Sequence, residues 1–140
     1  MYGRRTVTSS HYDPWAHARE LGLRVLWGDP GEGLLGLYDH DTRIIVLREG
    51  MSQMQSRCVL AHEIVHAEHG DMPLKDADPI WCAQREQRCD EVAAGRLIDA
   101  AAYMRAAQVF PHCLYSLARA LHVTPDIATA FAAQRRRCSL

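Results

Sequence analysis

The segment LAHEIVHAEHG, residues 60–70, is the feature that most constrains this chain. It predicts a helix with apolar residues on both flanks, and such a helix must lie buried between two layers of the fold. The same segment carries His62 and His66, and buried imidazoles without polar partners are costly. The fold must therefore supply partners for two imidazoles inside a largely apolar interior.

His62 and His66 are spaced to share one metal ion. On an α-helix they lie about 40° apart around the axis and one turn apart along it. Both imidazoles can therefore reach one Zn²⁺ at about 2.1 Å. Glu63 points about 100° away from His62, too far round to be a ligand but able to reach a water on the open side of the metal. This HExxH pattern predicts that Glu63 is the general base on a metal-bound water.

A catalytic zinc site needs a third protein ligand and an open fourth position. The next helical pattern runs from Pro79 to Ile98 and places Glu86 and Asp90 one turn apart in its buried apolar stripe. Ionised carboxylates facing a core need a cation or strong donors. We expect Glu86 to be the third ligand and Asp90 to accept the free ring N–H of a ligating histidine. Glu91, on the side expected to face solvent, is a weaker alternative for the third ligand.

Cap and turn signals predict the surrounding elements. A helix begins at Asp13-Pro14 and ends near Gly22, three short strands cover residues 23–27, 34–38 and 43–47, and Ser52 opens the helix that carries the histidines. These elements predict an α+β fold with a small three-stranded antiparallel sheet on a helical core. Zinc would lie between the helix from Ser52 to His69 and the helix from Pro79 to Ile98.

Length and composition limit the organisation and the partners. The 140 residues fit one domain, of which about residues 1–12 are expected to be flexible and residues 111–134 helical. A net charge of −1 excludes a strong attraction to nucleic acid or anionic lipid. Five cysteines without a CxxC pair fit reduced thiols, and no stretch fits a secretory signal or a membrane span. We expect a cytoplasmic protein that does not bind membranes.

The C-terminal part, residues 117–131, has the pattern of a helix-turn-helix pair. Its second helix, TPDIATAF, contains no Arg, Lys, Asn or Gln to contact base edges. Direct binding of nucleic acid is therefore not expected, and packing or docking of a partner is favoured.

These segments resemble the ImmA/IrrE family of small metallopeptidases. The resemblance extends through most of the chain from Asp13 onward, and rests on RCVLAHEIVHAEHG and EQRCDEVAAGRLI. The chain departs from the usual pattern where Cys89 replaces Ala, Val92 replaces Phe and Asp99 replaces Pro. The resemblance implies a zinc-dependent endopeptidase that cuts a helix-turn-helix transcriptional repressor of a phage, mobile element or stress regulon.

Several alternatives stay open at this point. The histidines could be core residues with hydrogen bonds, with the acids paired to Arg57 or Arg85, or the zinc could be purely structural. The chain could also be a non-proteolytic module of the same fold that binds a repressor or DNA, or a mobile-element toxin or anti-restriction component. A donor for the oxyanion is not located by the sequence, although Tyr103, Tyr115 and His112 are conceivable.

Overall fold

The computed structural model of the protein describes residues 11–72 and 78–138. Apart from its last two residues, the expected flexible stretch 1–12 lies outside the described residues. The elements in chain order are α1 (Pro14–Glu20), β1 (Arg24–Gly28), β2 (Gly36–Asp39), β3 (Ile44–Arg48), α2 (Gln53–His69), α3 (Pro79–Leu97), α4 (Ala100–Val109), α5 (Leu114–Ala120) and α6 (Pro125–Cys138). The predicted α+β fold is confirmed, with six helices and three strands among the described residues.

Helix α2 begins and ends where its cap signals predict. The Ser52 hydroxyl accepts a hydrogen bond from the backbone N–H of Gln55 at 3.1 Å, which satisfies one of the free donors of the first turn. At the other end Gly70 adopts a left-handed conformation with φ 63°, where a residue without Cβ is favoured. The local sequence therefore sets the length of the helix that carries both histidines.

The sheet is mixed, so the prediction of a purely antiparallel sheet is wrong. The strand order is β1-β3-β2, with β1 parallel and β2 antiparallel to the central strand β3. Ile45 and Leu47 of β3 have no exposed surface, which explains why the most apolar strand takes the centre.

The loop between β1 and β2 is the physical reason for this arrangement. Residues 29–35 are longer than the connection of a tight hairpin, and they carry the chain past β3 to its far side. Arg48, at the end of β3, holds this loop by donating hydrogen bonds to the carbonyl oxygens of Gly31 at 2.6 Å and Leu34 at 2.8 Å. A tight turn before Arg43 then brings β3 back antiparallel to β2.

Helix α2 lies between two hydrophobic cores, as its sequence predicts. On one side Leu60 and Ile64 pack with the sheet and α1. On the other side Cys58, Ala61 and Val65 pack with α3, α5 and α6. Because both flanks are buried, the histidines and Glu63 occupy the strip of the helix that faces the gap between β2 and α3.

The C-terminal helices pack against α3. Ile127 and Phe131 of α6 are buried in the core shared with α3, and the turn before α6 contains His122 with φ 56°. Arg135 lies over the rings of Tyr103 and Phe131, and Arg137 pairs with Glu91. Helix α6 therefore uses its apolar face and two of its arginines within the protein.

Among the described residues, every helix falls short of the length and apolar character that a membrane crossing requires.

Candidate metal centre

The carboxylate of Glu86 lies between the two imidazoles of α2. One oxygen is 3.1 Å from His62 Nε2 and the other is 3.0 Å from His66 Nε2. The two imidazole rings are 4.9 Å apart between centroids. The structure thus brings together the three residues that the sequence selects as metal ligands, from two neighbouring helices.

The opposite edge of each imidazole also faces a carboxylate. His62 Nδ1 donates to Asp90 at 2.7 Å, the contact expected from the helical spacing of α3. His66 Nδ1 donates to Asp71 at 2.8 Å. A carboxylate on the far nitrogen fixes the orientation of the ring and raises its basicity as a metal ligand.

Asp71 is not among the site residues predicted from the sequence, although a local signal for it exists. The backbone N–H groups of Gly70 and Asp71 bond to the carbonyls of Ala67 and His66, a pattern that folds the chain back over the last helical turn. The second residue after such a helix end returns to the side of the residue five positions earlier, which here is His66. The signal was the glycine stop followed at once by an acid.

Glu86 is half-exposed at the edge of the buried stripe of α3, and not within the stripe as the sequence predicts. From there its carboxylate reaches both imidazoles of α2. Glu91 is only 13% exposed and pairs with Arg137 and Gln87, so the expectation that it faces solvent is wrong. These contacts hold it away from the imidazoles, because α6 covers that side of α3.

The electrostatics of the site favour the positively charged forms of both imidazoles and the negatively charged form of Glu86. Burial lowers the pKa of His62, but hydrogen bonds to Asp90 and Glu86 outweigh it and raise the pKa to about 10. Burial likewise opposes protonation of His66, whose contacts with Cys89, Glu86 and Asp71 raise its pKa to about 11. Hydrogen bonds from both imidazoles hold the pKa of Glu86 far below its usual range. The donor set therefore stabilises positive charge at the Nε2 atoms, where a metal ion would bind.

Glu63 occupies a different position from the other acids. It is 7% exposed, and the backbone N–H of Tyr38 in β2 faces its carboxylate. Burial raises the pKa of this carboxyl above its ordinary value, against the lowering effect of His62 and His66. A raised pKa moves a carboxylate toward the range in which it exchanges protons efficiently near neutral pH.

Two clefts of about 210 and 520 Å³ meet at this centre. Both are lined by Glu63 and Glu86, and both are bordered by Leu34 and Gly36 on the β2 side. The smaller cleft continues toward Met72 and the larger one toward α5 and α6. A chain lying across the site could therefore extend to both sides of the two carboxylates.

The donors present fit a zinc ion. Ligand atoms of His62, His66, Glu86 and Cys89 all lie within 4.8 Å of one another, and imidazole, carboxylate and thiolate are the ligands that zinc takes in proteins. The Sγ atom of Cys89 is 3.5 Å from His66 Nδ1, on the edge of the ring that also contacts Asp71. Glu86 instead contacts the Nε2 atoms of both rings. Three donors thus converge on one side, and Cys89 lies beside the far nitrogen of His66.

Arg85 and Tyr115 complete the surroundings. The Arg85 Nε atom is buried without a hydrogen-bond partner, 3.9 Å from Glu86 and 4.0 Å from Asp71. Of the three residues considered for the oxyanion, Tyr115 lines the larger cleft. Tyr103 packs on Phe131 in the helical core instead.

The sequence model described as the IrrE N-terminal-like domain matches residues 18–132. The chain belongs to the ImmA/IrrE family. This match confirms the resemblance seen in the sequence and makes the chain a zinc metallopeptidase-like domain. It covers all three strands and the helices α2 to α5, and therefore the whole candidate centre. No curated protein matches the chain at a significant level.

Proposed function

We propose that this protein is a zinc-dependent endopeptidase in which Glu63 acts as the general base. The observation that carries the proposal is the position of the Glu63 carboxylate. It is buried where two clefts meet, next to a His62–His66–Glu86 donor set, and it makes none of the ligand-side contacts of that set. A purely structural metal site would have no use for a buried carboxylate in that place.

The Nε2 atoms of His62 and His66 and the carboxylate of Glu86 would hold the ion. When bound, Zn²⁺ lowers the pKa of a coordinated water toward about 7 and polarises a carbonyl oxygen. With the ion bound, Asp90 and Asp71 would accept the Nδ1 protons of the two imidazoles and so leave both Nε2 lone pairs free for the metal.

Glu63 would move the proton that peptide hydrolysis requires. Its carboxylate accepts a proton from the attacking water as the oxygen bonds to the carbonyl carbon. It then donates that proton to the amide nitrogen as the C–N bond breaks, so the group returns to its ionised form. Burial favours this role because it raises the pKa of the carboxyl and keeps bulk water from competing.

A peptide substrate fits the shape of the site. In the register of the sheet, Leu35 and Leu37 bond to β3, so Gly36 directs its backbone N–H and C=O groups to the open edge of β2. Tyr38 offers its C=O group at the same edge, whereas its N–H faces Glu63. An extended chain can bond to such groups, and the two clefts offer room on either side of Glu63. Membership of the ImmA/IrrE family supports a helix-turn-helix repressor as the protein that is cleaved. We propose that the reaction takes place in the cytoplasm. The net charge of −1 argues against direct contact with nucleic acid.

The experiment is co-expression of Glu63→Gln and wild type with candidate repressors, followed by N-terminal sequencing of any fragment. We expect wild type to cut one of them, and Glu63→Gln to keep its zinc and lose about 10²- to 10⁴-fold in kcat. Glu49→Gln, at an exposed carboxylate, is the matched control with normal activity. The proposal fails if Glu63→Gln cleaves like wild type.

A second candidate function is a closed structural zinc site, which the nearness of Cys89 favours. A thiolate in the fourth position would leave no room for a reacting water. Replacement of zinc by Co²⁺ distinguishes the two, because a cobalt–thiolate bond adds a strong near-ultraviolet absorption band. The endopeptidase proposal expects no such band, and its presence would favour the structural site.

A further inference from the structure

At Gly36, strand β2 passes close to helix α2. A Cβ atom at this position would lie 2.6 Å from Val59 Cγ1, 3.1 Å from Glu63 Cγ and 3.5 Å from Glu63 Oε2. Cβ atoms essentially never have non-bonded contacts under 3.0 Å, so a side chain here would force its neighbours to move. Glu63 is one of those neighbours.

Backbone conformation does not explain this glycine. Gly36 is the first residue of a regular strand and is absent from the glycines with positive φ, in contrast to Gly31 and Gly33 in the preceding loop. Glycine weakens a strand because it has no side chain to pack, and in a strand it often marks a site where another part of the protein approaches the backbone closely. The need for glycine at position 36 is therefore a need for space between β2 and the carboxylate side of α2.

We propose that Gly36 is a positioning residue for the general base. By letting β2 approach α2 closely, it keeps the Glu63 carboxylate facing the backbone N–H of Tyr38 and at the junction of the two clefts. The inference rests on the proposed function of Glu63. It adds that the close backbone approach of the sheet, and not a side-chain partner, sets the orientation of this carboxylate.

Val59 makes it possible to separate packing from positioning. In a Val59→Ala background the 2.6 Å contact disappears, and the tightest remaining neighbour of a Cβ at position 36 is Glu63 Cγ at 3.1 Å. A contact of that length requires the neighbour to give way by a few tenths of an ångström. The comparison of Val59→Ala with Gly36→Ala/Val59→Ala therefore isolates the effect on Glu63.

The experiment compares wild type, Val59→Ala, the double variant and Glu63→Gln in the zinc-loaded full chain. We expect the double variant to match Val59→Ala in melting temperature and zinc content. Its kcat should fall about tenfold with a smaller change in KM, because small displacements of a reacting group are costly. In NMR spectra, its Tyr38 amide resonance should move from the Val59→Ala position toward that of Glu63→Gln.

Gly28→Ala is the matched control, since a Cβ there would meet Val46 at an ordinary 3.6 Å. It should leave kcat and the Tyr38 amide resonance unchanged. If the double variant equals Val59→Ala in both kcat and the amide resonance, Gly36 serves packing alone and the inference is wrong. If wild type cleaves no substrate, the proposed function fails, while the amide resonance still decides whether Gly36 positions Glu63.

Discussion

The two imidazoles of the candidate centre have the same pattern of contacts but obtain it from different kinds of structure. Each contacts the shared Glu86 through its Nε2 atom and its own aspartate through its Nδ1 atom. His62 takes its aspartate from a helix 28 residues away, whereas His66 takes Asp71 from the turn that ends its own helix. The first pair depends on the docking of α2 against α3, and the second forms within one local segment.

The pairs also differ in their contact with water. The His66 and Asp71 side chains are 9% and 14% exposed, against 16% and 33% for His62 and Asp90. Hydrogen bonds to charged groups are stronger where water competes less. The local pair should therefore contribute more to metal affinity than the long-range pair, although the sequence pattern reveals the long-range pair more readily.

Removal of the shared partner should have the largest effect. Glu86→Ala deletes the carboxylate that meets both Nε2 atoms, so we expect loss of stoichiometric zinc and of all proteolysis. Metal analysis after dialysis, with circular dichroism to verify folding, provides the measurement. If a folded Glu86→Ala protein keeps one zinc per chain, the two histidines bind metal with another partner, and Glu86 is not the ligand that they share.

Zinc affinity should depend strongly on pH. The folded-state pKa values of both metal-free imidazoles lie above the ordinary value of 6.5. Raised values stabilise the metal-free fold fully below pH 6.5, and this contribution is lost as pH rises toward about 10 for His62 and 11 for His66. Zinc must displace the Nε2 protons, so its affinity should rise through the same window, by up to about tenfold per pH unit for each proton.

Isothermal titration calorimetry at pH 7 in buffers of different ionisation enthalpy measures this linkage. The expected result is the release of up to two protons per zinc. Release of no protons would show that the imidazoles are already neutral before zinc binds.

The sequence predicts those parts of the site that depend on helical periodicity. His62, His66, Glu86 and Asp90 lie at fixed intervals on two long helices, and their relative directions follow from the spacing alone. Asp71 is not predicted by helical periodicity, because its position depends on the left-handed turn at Gly70 that ends the helix. The proposed role of Gly36 is not predicted for a related reason. It depends on a close approach of the backbone, which involves no side chain that a sequence pattern could reveal.

The fold shows the same division between local and long-range information. Caps and glycine stops predict α1 and α2 to within a residue or two, because each depends on a few neighbouring side chains. The parallel pairing of β1 with β3 could not be predicted, because it depends on the path of the loop 29–35 across the sheet. The hydrophobic pattern of the strands themselves does not distinguish the observed order β1-β3-β2 from the antiparallel sheet that the sequence predicts.

Asp71→Ala and Asp90→Ala test directly whether the His66–Asp71 pair contributes more to zinc affinity than the His62–Asp90 pair. Removal of a carboxylate behind a ligating histidine typically costs about 10- to 100-fold in metal affinity. We expect Asp71→Ala near the upper end of this range and Asp90→Ala near the lower end, because the His66–Asp71 pair is the more buried. Competition with a chromophoric chelator measures both, and Glu20→Ala on the exposed surface of α1 is the control. The opposite order would show that helix docking matters more than burial.

The smallest effect should come from an imidazole contact outside the centre. Tyr12 shares its hydroxyl with His17 Nδ1 at 2.5 Å, and burial raises the pKa of Tyr12 to about 12 in spite of the opposing charge of Arg96. A raised pKa means that the neutral phenol stabilises the fold fully below pH 10, and that this contribution is lost as pH rises from 10 to 12.

Tyr12→Phe lacks this titration, so the free energy of unfolding of the zinc-loaded variant should fall less between pH 9 and 11 than that of wild type, measured by urea denaturation. Tyr115→Phe, at a largely exposed ring, should follow wild type. Zinc affinity should be the same in all three proteins, because the carboxylate beside this phenol–imidazole pair, Glu68 at 3.7 Å from His17 Nε2, pairs with Arg96 and not with a metal ligand. A loss of zinc in Tyr12→Phe would mean that the N-terminal helix and the centre are coupled through α2, and the two aspartate pairs would then no longer account for metal affinity on their own.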